Sequence, residues 1–391
     1  MTTALLLTFV ALASATMKLV LFDNSKVPAD QAAVCLDGTP SGFYVAPGAT
    51  RQFILYIAGG GWCYTPADCA YRAAHTDIGS SQNWTSSLGG SGILSPDATI
   101  NPIFSQFTRV YVPYCDGFSF MGHRASPVTV GSQTLYFRGH ANLQRTLNEL
   151  DRQFQLKAAT DVLVAGCSAG GLSTILHVDR VRAFVPNALR VAGVPDSGFF
   201  LNATNIYGQF DYGAQMAAGW QLHNASAGAN AACLKALGNT PSCSMAPYVT
   251  PLVSSPLYVL NSFFDSWQMG NVVGDGVPET ASWQSNCAAH GPTRCNATEL
   301  AIANAFARQL TKQVQATVKL NDGFALESCW SHCMLVFDKA WAHYKIGPFN
   351  VQNSVTFWWQ QLPRNTRNRS FRLTDCSVTS VGAQPCNPTC V

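Results

Sequence analysis

The sequence predicts an α/β fold, a mostly parallel central sheet covered by helices on both faces. Three observations lead there. Short apolar, β-rich runs alternate with stretches of helical spacing through the first two thirds of the chain. Those runs are stopped by Gly and Pro clusters, as buried strands are. Hydrophobic residues make up 47% of the 391 residues against 12% charged, which supplies a large core and excludes disorder and coiled coil. No repeat, low-complexity tract or long linker interrupts the pattern, so one domain over 16–391 is expected.

The elements follow in order. An uncharged apolar run from Leu5 to Val10, followed by Ala13-Ser14-Ala15, reads as a signal peptide over residues 1–15 that is too short to span a membrane. Phe53 to Ile57 is a strand ending at Gly59-Gly60-Gly61, and Arg109 to Val112 is a second ending at Pro113. Asn142 to Phe154 places Leu143, Leu147, Leu150 and Phe154 on one helix face, leading into the strand Val162 to Ala165. Leu172 to Phe184 resumes helical spacing, and Leu189 to Val194 and Leu257 to Phe263 are further strands. Residues 202–256, rich in Ala, Gly and Asn, read as an insertion or cap. Residues 364–391, with Cys376, Cys386 and Cys390, read as a stapled tail.

Fourteen cysteines belong to an oxidising compartment, where they form a disulfide framework. Their pairing cannot be read from spacing, and Cys167 is expected as a free thiol, leaving an odd number elsewhere. Sequons at Asn83, Asn202, Asn224, Asn296 and Asn368 permit glycosylation. A net charge of +3 lacks the basic footprint of a nucleic-acid-binding chain, and a secreted monomer is expected.

Gly166-Cys167-Ser168-Ala169-Gly170 fits G-x-S-x-G between a strand and a helix, the context in which a sharp turn lifts a serine hydroxyl out of the sheet. A plain Gly-Ser turn is the bland alternative. A serine nucleophile needs a base, oriented in turn by an acid, in the chain order Ser, Asp or Glu, His. His75, His123 and His140 precede Ser168, and His177 points away along the following helix. Of His223, His290, His332 and His343, His332 stands out because Cys329 and Cys333 flank it and can stiffen its loop. No CxxC or paired-histidine spacing supports a metal site there, so no metal or cofactor is expected. For the acid, Asp265 directly follows a strand and is favoured over Asp196, which also ends one. Gly59-Gly60-Gly61-Trp62 after an early strand suits an oxyanion loop, with the amides of Gly61, Trp62 and Ala169 as donors.

Together Gly59-Gly60-Gly61-Trp62-Cys63, Tyr114-Cys115-Asp116-Gly117, Gly166 to Gly171, Asp196 with Gly198-Phe199-Phe200, Asp265-Ser266-Trp267-Gln268 and Ser331-His332-Cys333 resemble the pectin acetylesterase and Notum carboxylesterase family. The wording around Cys167 and Asp265 is closer to the plant pectin acetylesterase branch. The resemblance implies an α/β-hydrolase-like fold and a Ser168-Asp265-His332 triad, which selects Asp265 over Asp196. It further implies a secreted serine esterase that removes O-acetyl groups from a polysaccharide such as pectin. Ala58 departs from the family, which usually carries Glu there, and alters the hydrogen bonding beneath the oxyanion loop. The alternatives are a Notum-type lipid-ester carboxylesterase, which needs a deep apolar pocket beside Ser168, and a secreted binding protein on an inactive scaffold. Arg364, Arg367, Arg369 and Arg372, after Trp358-Trp359, suit the carboxylates and sugar faces of a polyuronate, or else form a solvated turn beside two core tryptophans.

Overall fold

The computed structural model describes residues 16–319, 322–362, 371–375 and 387–390. The expected leader, Cys376, Cys386, Arg364, Arg367, Arg369 and Asn368 lie outside these residues. Ten strands form the central sheet: β1 (Thr16–Leu21), β2 (Gly42–Ala46), β3 (Gln52–Ile57), β4 (Ser87–Gly89), β5 (Thr108–Val112), β6 (Asp161–Cys167), β7 (Arg190–Asp196), β8 (Tyr258–Ser262), β9 (Gly323–Glu327) and β10 (Phe371–Thr374). Their spatial order is β10-β9-β8-β7-β6-β3-β5-β2-β1-β4. From β10 to β5 in that order every pair is parallel, and β2, β1 and β4 add an antiparallel edge.

The continuous apolar character of the central strands has a direct cause: both faces of each are buried. In β3, Phe53, Leu55 and Ile57 enter one core while Ile54 and Tyr56 enter the other. In β6, Val162 and Val164 divide from Leu163 and Ala165 in the same way. The first core is closed by α2 (Gly139–Phe154), α3 (Ala169–Phe184), α4 (Asp211–His223) and α5 (Ala297–Thr317), which follow α1 (Pro66–His75) in the chain. The second is closed by α6 (Val351–Gln361). Residues 202–256 form α4 and short helical turns clamped by Cys233–Cys243, and they bury Tyr212, Met216 and Trp220 against the α2 and α3 face.

Trp358 and Trp359 of α6 are buried in the second core, and the Arg190 guanidinium lies 4.6 Å from the Trp359 ring centre. They therefore offer no sugar-stacking surface, which removes the aromatic half of the polyuronate reading. Arg372 lies 5.8 Å from the Phe324 ring centre on the neighbouring strand.

Among the described residues six disulfides form: Cys35–Cys115, Cys63–Cys69, Cys167–Cys333, Cys233–Cys243, Cys287–Cys295 and Cys329–Cys390. Cys390 is bonded to Cys329 in the loop after β9. Cys167 is not free: its position at the end of β6 brings it against the loop after β9, where Cys333 meets it.

Candidate active site

Strands β3, β6 and β8 deliver the candidate residues to the carboxyl end of the sheet, where parallel α/β sheets gather their ligands. Ser168 sits between β6 and α3 at φ 61° and ψ −126°, a backbone conformation that non-glycine residues rarely take. The turn is tight enough that a Cβ on Gly170 would lie 2.1 Å from the Ile57 carbonyl oxygen, so no larger residue fits there. Ser168 is 6% exposed, its N–H donates to the Asp196 carbonyl at 2.9 Å, and it stands at the N-terminus of α3. The partial positive charge of a helix N-terminus favours an oxyanion at that point.

Asp265 follows β8, fully buried, and accepts the Gln268 amide at 2.9 Å, which caps the short turn Ser266–Gln268. Its two carboxylate oxygens lie 2.9 and 3.0 Å from Nδ1 of His332. Nδ1 therefore donates a hydrogen bond to the carboxylate, and the neutral ring carries its free lone pair on Nε2. Nε2 is buried and takes no hydrogen-bond partner among the described residues. Burial works against a charged imidazole, but the charge and hydrogen bond of Asp265 and the charge of Asp196 outweigh it and raise the His332 pKa above its ordinary 6.5.

Asp196 plays another part. Its Oδ2 accepts the amides of Met334 at 2.7 Å and Leu335 at 2.8 Å, just beyond His332. Burial pushes its carboxyl up to about 7 despite those two bonds. Ser197 Oγ accepts the Cys333 amide at 2.9 Å, and Glu327 accepts the Cys329 amide and the Ser331 hydroxyl. The histidine loop is thus fastened at both ends by buried acceptors.

The Gly59-Gly60-Gly61-Trp62 loop is organised from behind. Arg72 of α1 donates to the carbonyls of Gly60 at 2.5 Å and Trp62 at 2.9 Å, and the Tyr114 hydroxyl donates to Gly61 O at 2.7 Å. With three successive carbonyls held back, the amides of Gly61, Trp62 and Ala169 donate to no acceptor among the described residues. Ser119 ties this loop to the nucleophile helix: its Oγ accepts from the Trp62 indole at 2.8 Å and donates to Ala169 O at 2.9 Å. A Cβ on Gly59 would stand 2.7 Å from the Ser168 Cβ, so glycine lets the loop pass the nucleophile. Beneath the loop Ala58 carries no polar side chain, and Arg72 and Tyr114 supply the hydrogen bonds there.

The other histidines lie elsewhere. His177 is buried and donates to Ser119 O at 2.8 Å, with burial lowering its pKa to about 3. His223 is buried and donates to Cys63 O at 3.0 Å, while His290 and His343 are exposed. The cysteines beside His223 and His332 are paired with each other and offer no thiolate to a metal. Arg72, Ser119 and Glu327 carry no sequence signal of their own, whereas Tyr114 lies within a motif already singled out. Only the fold brings them under the site.

Comparison with known proteins agrees with this architecture. The chain is 30% identical over 365 residues to pectin acetylesterase 7 of Arabidopsis thaliana, covering 92% of this chain and 89% of that protein. It is 24% identical over 382 residues to the palmitoleoyl-protein carboxylesterase NOTUM of Schmidtea mediterranea, covering 93% of this chain and 68% of that one. The solved structure of the Wnt deacylase Notum from Drosophila superposes with a TM-score of 0.79 at 22% identity, over 96% of this chain and 100% of that one, which establishes an α/β-hydrolase-like fold. The family model for pectinacetylesterases matches residues 11–391. The chain belongs to the pectinacetylesterase family and is a carboxylic ester hydrolase.

Proposed function

We propose that this esterase acts outside the cell, removing O-acetyl groups from a polysaccharide such as pectin through an acyl-enzyme on Ser168. His332 Nε2 takes the Ser168 proton as Oγ attacks the acetyl carbonyl, and Asp265 holds the imidazole in the required tautomer and stabilises its charge. The amides of Gly61, Trp62 and Ala169 receive the oxyanion. His332 returns the proton to the departing sugar hydroxyl, then activates the water that releases acetate. The observation that carries this reading is the bidentate seat of His332 on buried Asp265, together with a serine in a strained strand-to-helix turn whose neighbour Cys167 is bonded to Cys333. Six disulfides among the described residues support an oxidising compartment.

The acyl group is short. Trp62, Phe200, Tyr212 and Trp267 pack against one another beside His332, with neighbouring ring centres 4.8 to 6.2 Å apart. Phe200 and Trp267 each stand 6.3 Å from the imidazole. Rings in mutual contact occupy the apolar space that a long acyl chain requires. A panel of acetylated pectin, acetylated xylan and long-chain acyl esters tests this. Turnover of acetyl esters with pectin preferred is the expected result; preferential cleavage of long-chain esters contradicts it.

Arg72 is expected to act through the oxyanion loop. In Arg72→Ala two carbonyls lose their donor and the loop amides lose their aim, so kcat falls by about tenfold to 10²-fold with KM little changed. That is less than deleting an oxyanion donor outright, which costs roughly 10² to 10³. Steady-state kinetics on a small acetyl ester check it, and an unchanged kcat removes Arg72 from this role.

A further inference from the structure

Cys167 immediately precedes Ser168, and Cys333 immediately follows His332. Their sulfurs are bonded across 166 residues of chain, with the two Cα atoms 5.6 Å apart. Cys333 is itself held at φ 71°, a conformation that a free non-glycine residue tends to leave. The neighbouring contacts are a hydrogen bond from the Cys333 amide to Ser197 Oγ and links at other points. Asp196 takes the amides beyond Cys333, and Cys329–Cys390 ties the start of the loop to the tail. Among the described residues, Cys167–Cys333 is the covalent link between the strand end carrying the nucleophile and the loop carrying the base.

We propose that the Cys167–Cys333 disulfide is a positioning cross-link for catalysis, and that the chain is a competent esterase only while this bond is oxidised. The proposal rests on the Ser168–His332 reading above. The proton transfer from Ser168 to His332 crosses two segments far apart in sequence, and a displacement of about 1 Å between reacting groups costs on the order of 10²-fold in rate. Backbone hydrogen bonds permit such a displacement; a disulfide one residue from each group opposes it. Cys167 is half-buried and Cys333 is buried, whereas Cys35, Cys63, Cys69 and Cys233 are all fully buried. A dithiol breaks the S–S bond by supplying two electrons and two protons, giving two thiols as it closes to its own cyclic disulfide.

The test uses the full chain and a small soluble acetyl ester. Cys167→Ala/Cys333→Ala is compared with wild type, with Ser168→Ala as the inactive reference and with Cys233→Ala/Cys243→Ala as a control for losing a disulfide in the insertion. The expected result is a loss of about 10²-fold in kcat with KM within about twofold for the first double variant, and wild-type kcat for the control. Near-UV circular dichroism checks that each variant is folded. A folded first double variant with wild-type kcat overturns the proposal.

Should that variant fail to fold, graded reduction of the wild-type enzyme decides. Cys295 and Cys390 are also half-buried, so alkylation and peptide mapping must assign which bond has opened. Activity should fall in step with alkylation of Cys167 and Cys333, and return on reoxidation of unalkylated samples. Full activity with both cysteines alkylated overturns the proposal. A wild-type enzyme whose activity equals that of Ser168→Ala overturns instead the triad reading beneath it.

Discussion

Ser168→Ala and His332→Ala each lower kcat on a small acetyl ester by ~10³-fold or more while the protein stays folded. Removing the Ser168 hydroxyl deletes the nucleophile but leaves the amides of Gly61, Trp62 and Ala169 in place, so a residual acceleration by the oxyanion site survives. Removing the imidazole leaves the hydroxyl protonated at neutral pH, and the loss is comparable. Because the two act as a unit, the double variant is about as impaired as either single one. Neither change opens a large cavity: Ser168 loses one oxygen, and the His332 side chain retains 19% exposure. Thermal unfolding therefore shifts little. Near wild-type turnover in Ser168→Ala contradicts the mechanism.

Asp265→Asn produces the second large effect, a fall in kcat of about 10³- to 10⁴-fold, because the amide no longer holds the Nδ1–H tautomer that leaves Nε2 basic. It also changes the pH profile. Neutral His332 is the active form, so kcat/KM rises with pH as the imidazole loses its proton. The raised pKa puts this limb above 6.5 in the wild type. Without the Asp265 charge, burial of the imidazole prevails and the limb moves to lower pH. Asp196→Asn shifts the limb in the same direction but less, and lowers kcat by less than about tenfold, since Asn keeps an acceptor for the Met334 and Leu335 amides. A larger loss from Asp196→Asn than from Asp265→Asn would transfer the acid role to Asp196. Initial rates across pH on one acetyl ester measure both quantities.

Much of the parallel sheet was legible because its strands are buried on both faces and carry unbroken apolar runs: β3, β5, β6, β7 and β8 lie within a residue or two of where the runs place them. The antiparallel edge is less legible, although β2 carries the buried apolar run Phe43-Tyr44-Val45-Ala46. Strand β1 carries the apolar run Leu19-Val20-Leu21 directly after the segment read as a leader and is half exposed, and β4 has only three residues. Helix α3 begins at Ala169 rather than Leu172, because its first turn is built from small residues that lie against the sheet instead of displaying a hydrophobic stripe.

At the candidate site, Ser168 and the glycine loop stand in local motifs, and Asp265 stands at a strand end and is chosen over Asp196 by the family resemblance. Chain order leaves four histidines, His223, His290, His332 and His343, and the cysteines on either side of His332 single it out. Long-range partners could not be found. Arg72 reaches the Gly60 and Trp62 carbonyls from a helix whose sequence carries no catalytic pattern, and Glu327 reads as the end of a strand. Cys167 is separated from Cys333 by 166 residues, and only strand order brings the two together. For Trp358 and Trp359 the sequence leaves two readings, a sugar surface or core packing, and α6 turns both rings into the core.

The most direct test is to trap the covalent intermediate. The full chain is mixed with an activated acetyl ester, quenched in acid within one turnover and mapped by peptide mass spectrometry. The account predicts a single acetyl group on the peptide containing Ser168, absent from Ser168→Ala and chased away by longer incubation in water. Full esterase turnover with the acetyl group on another residue, or with Ser168 never acylated, would contradict it.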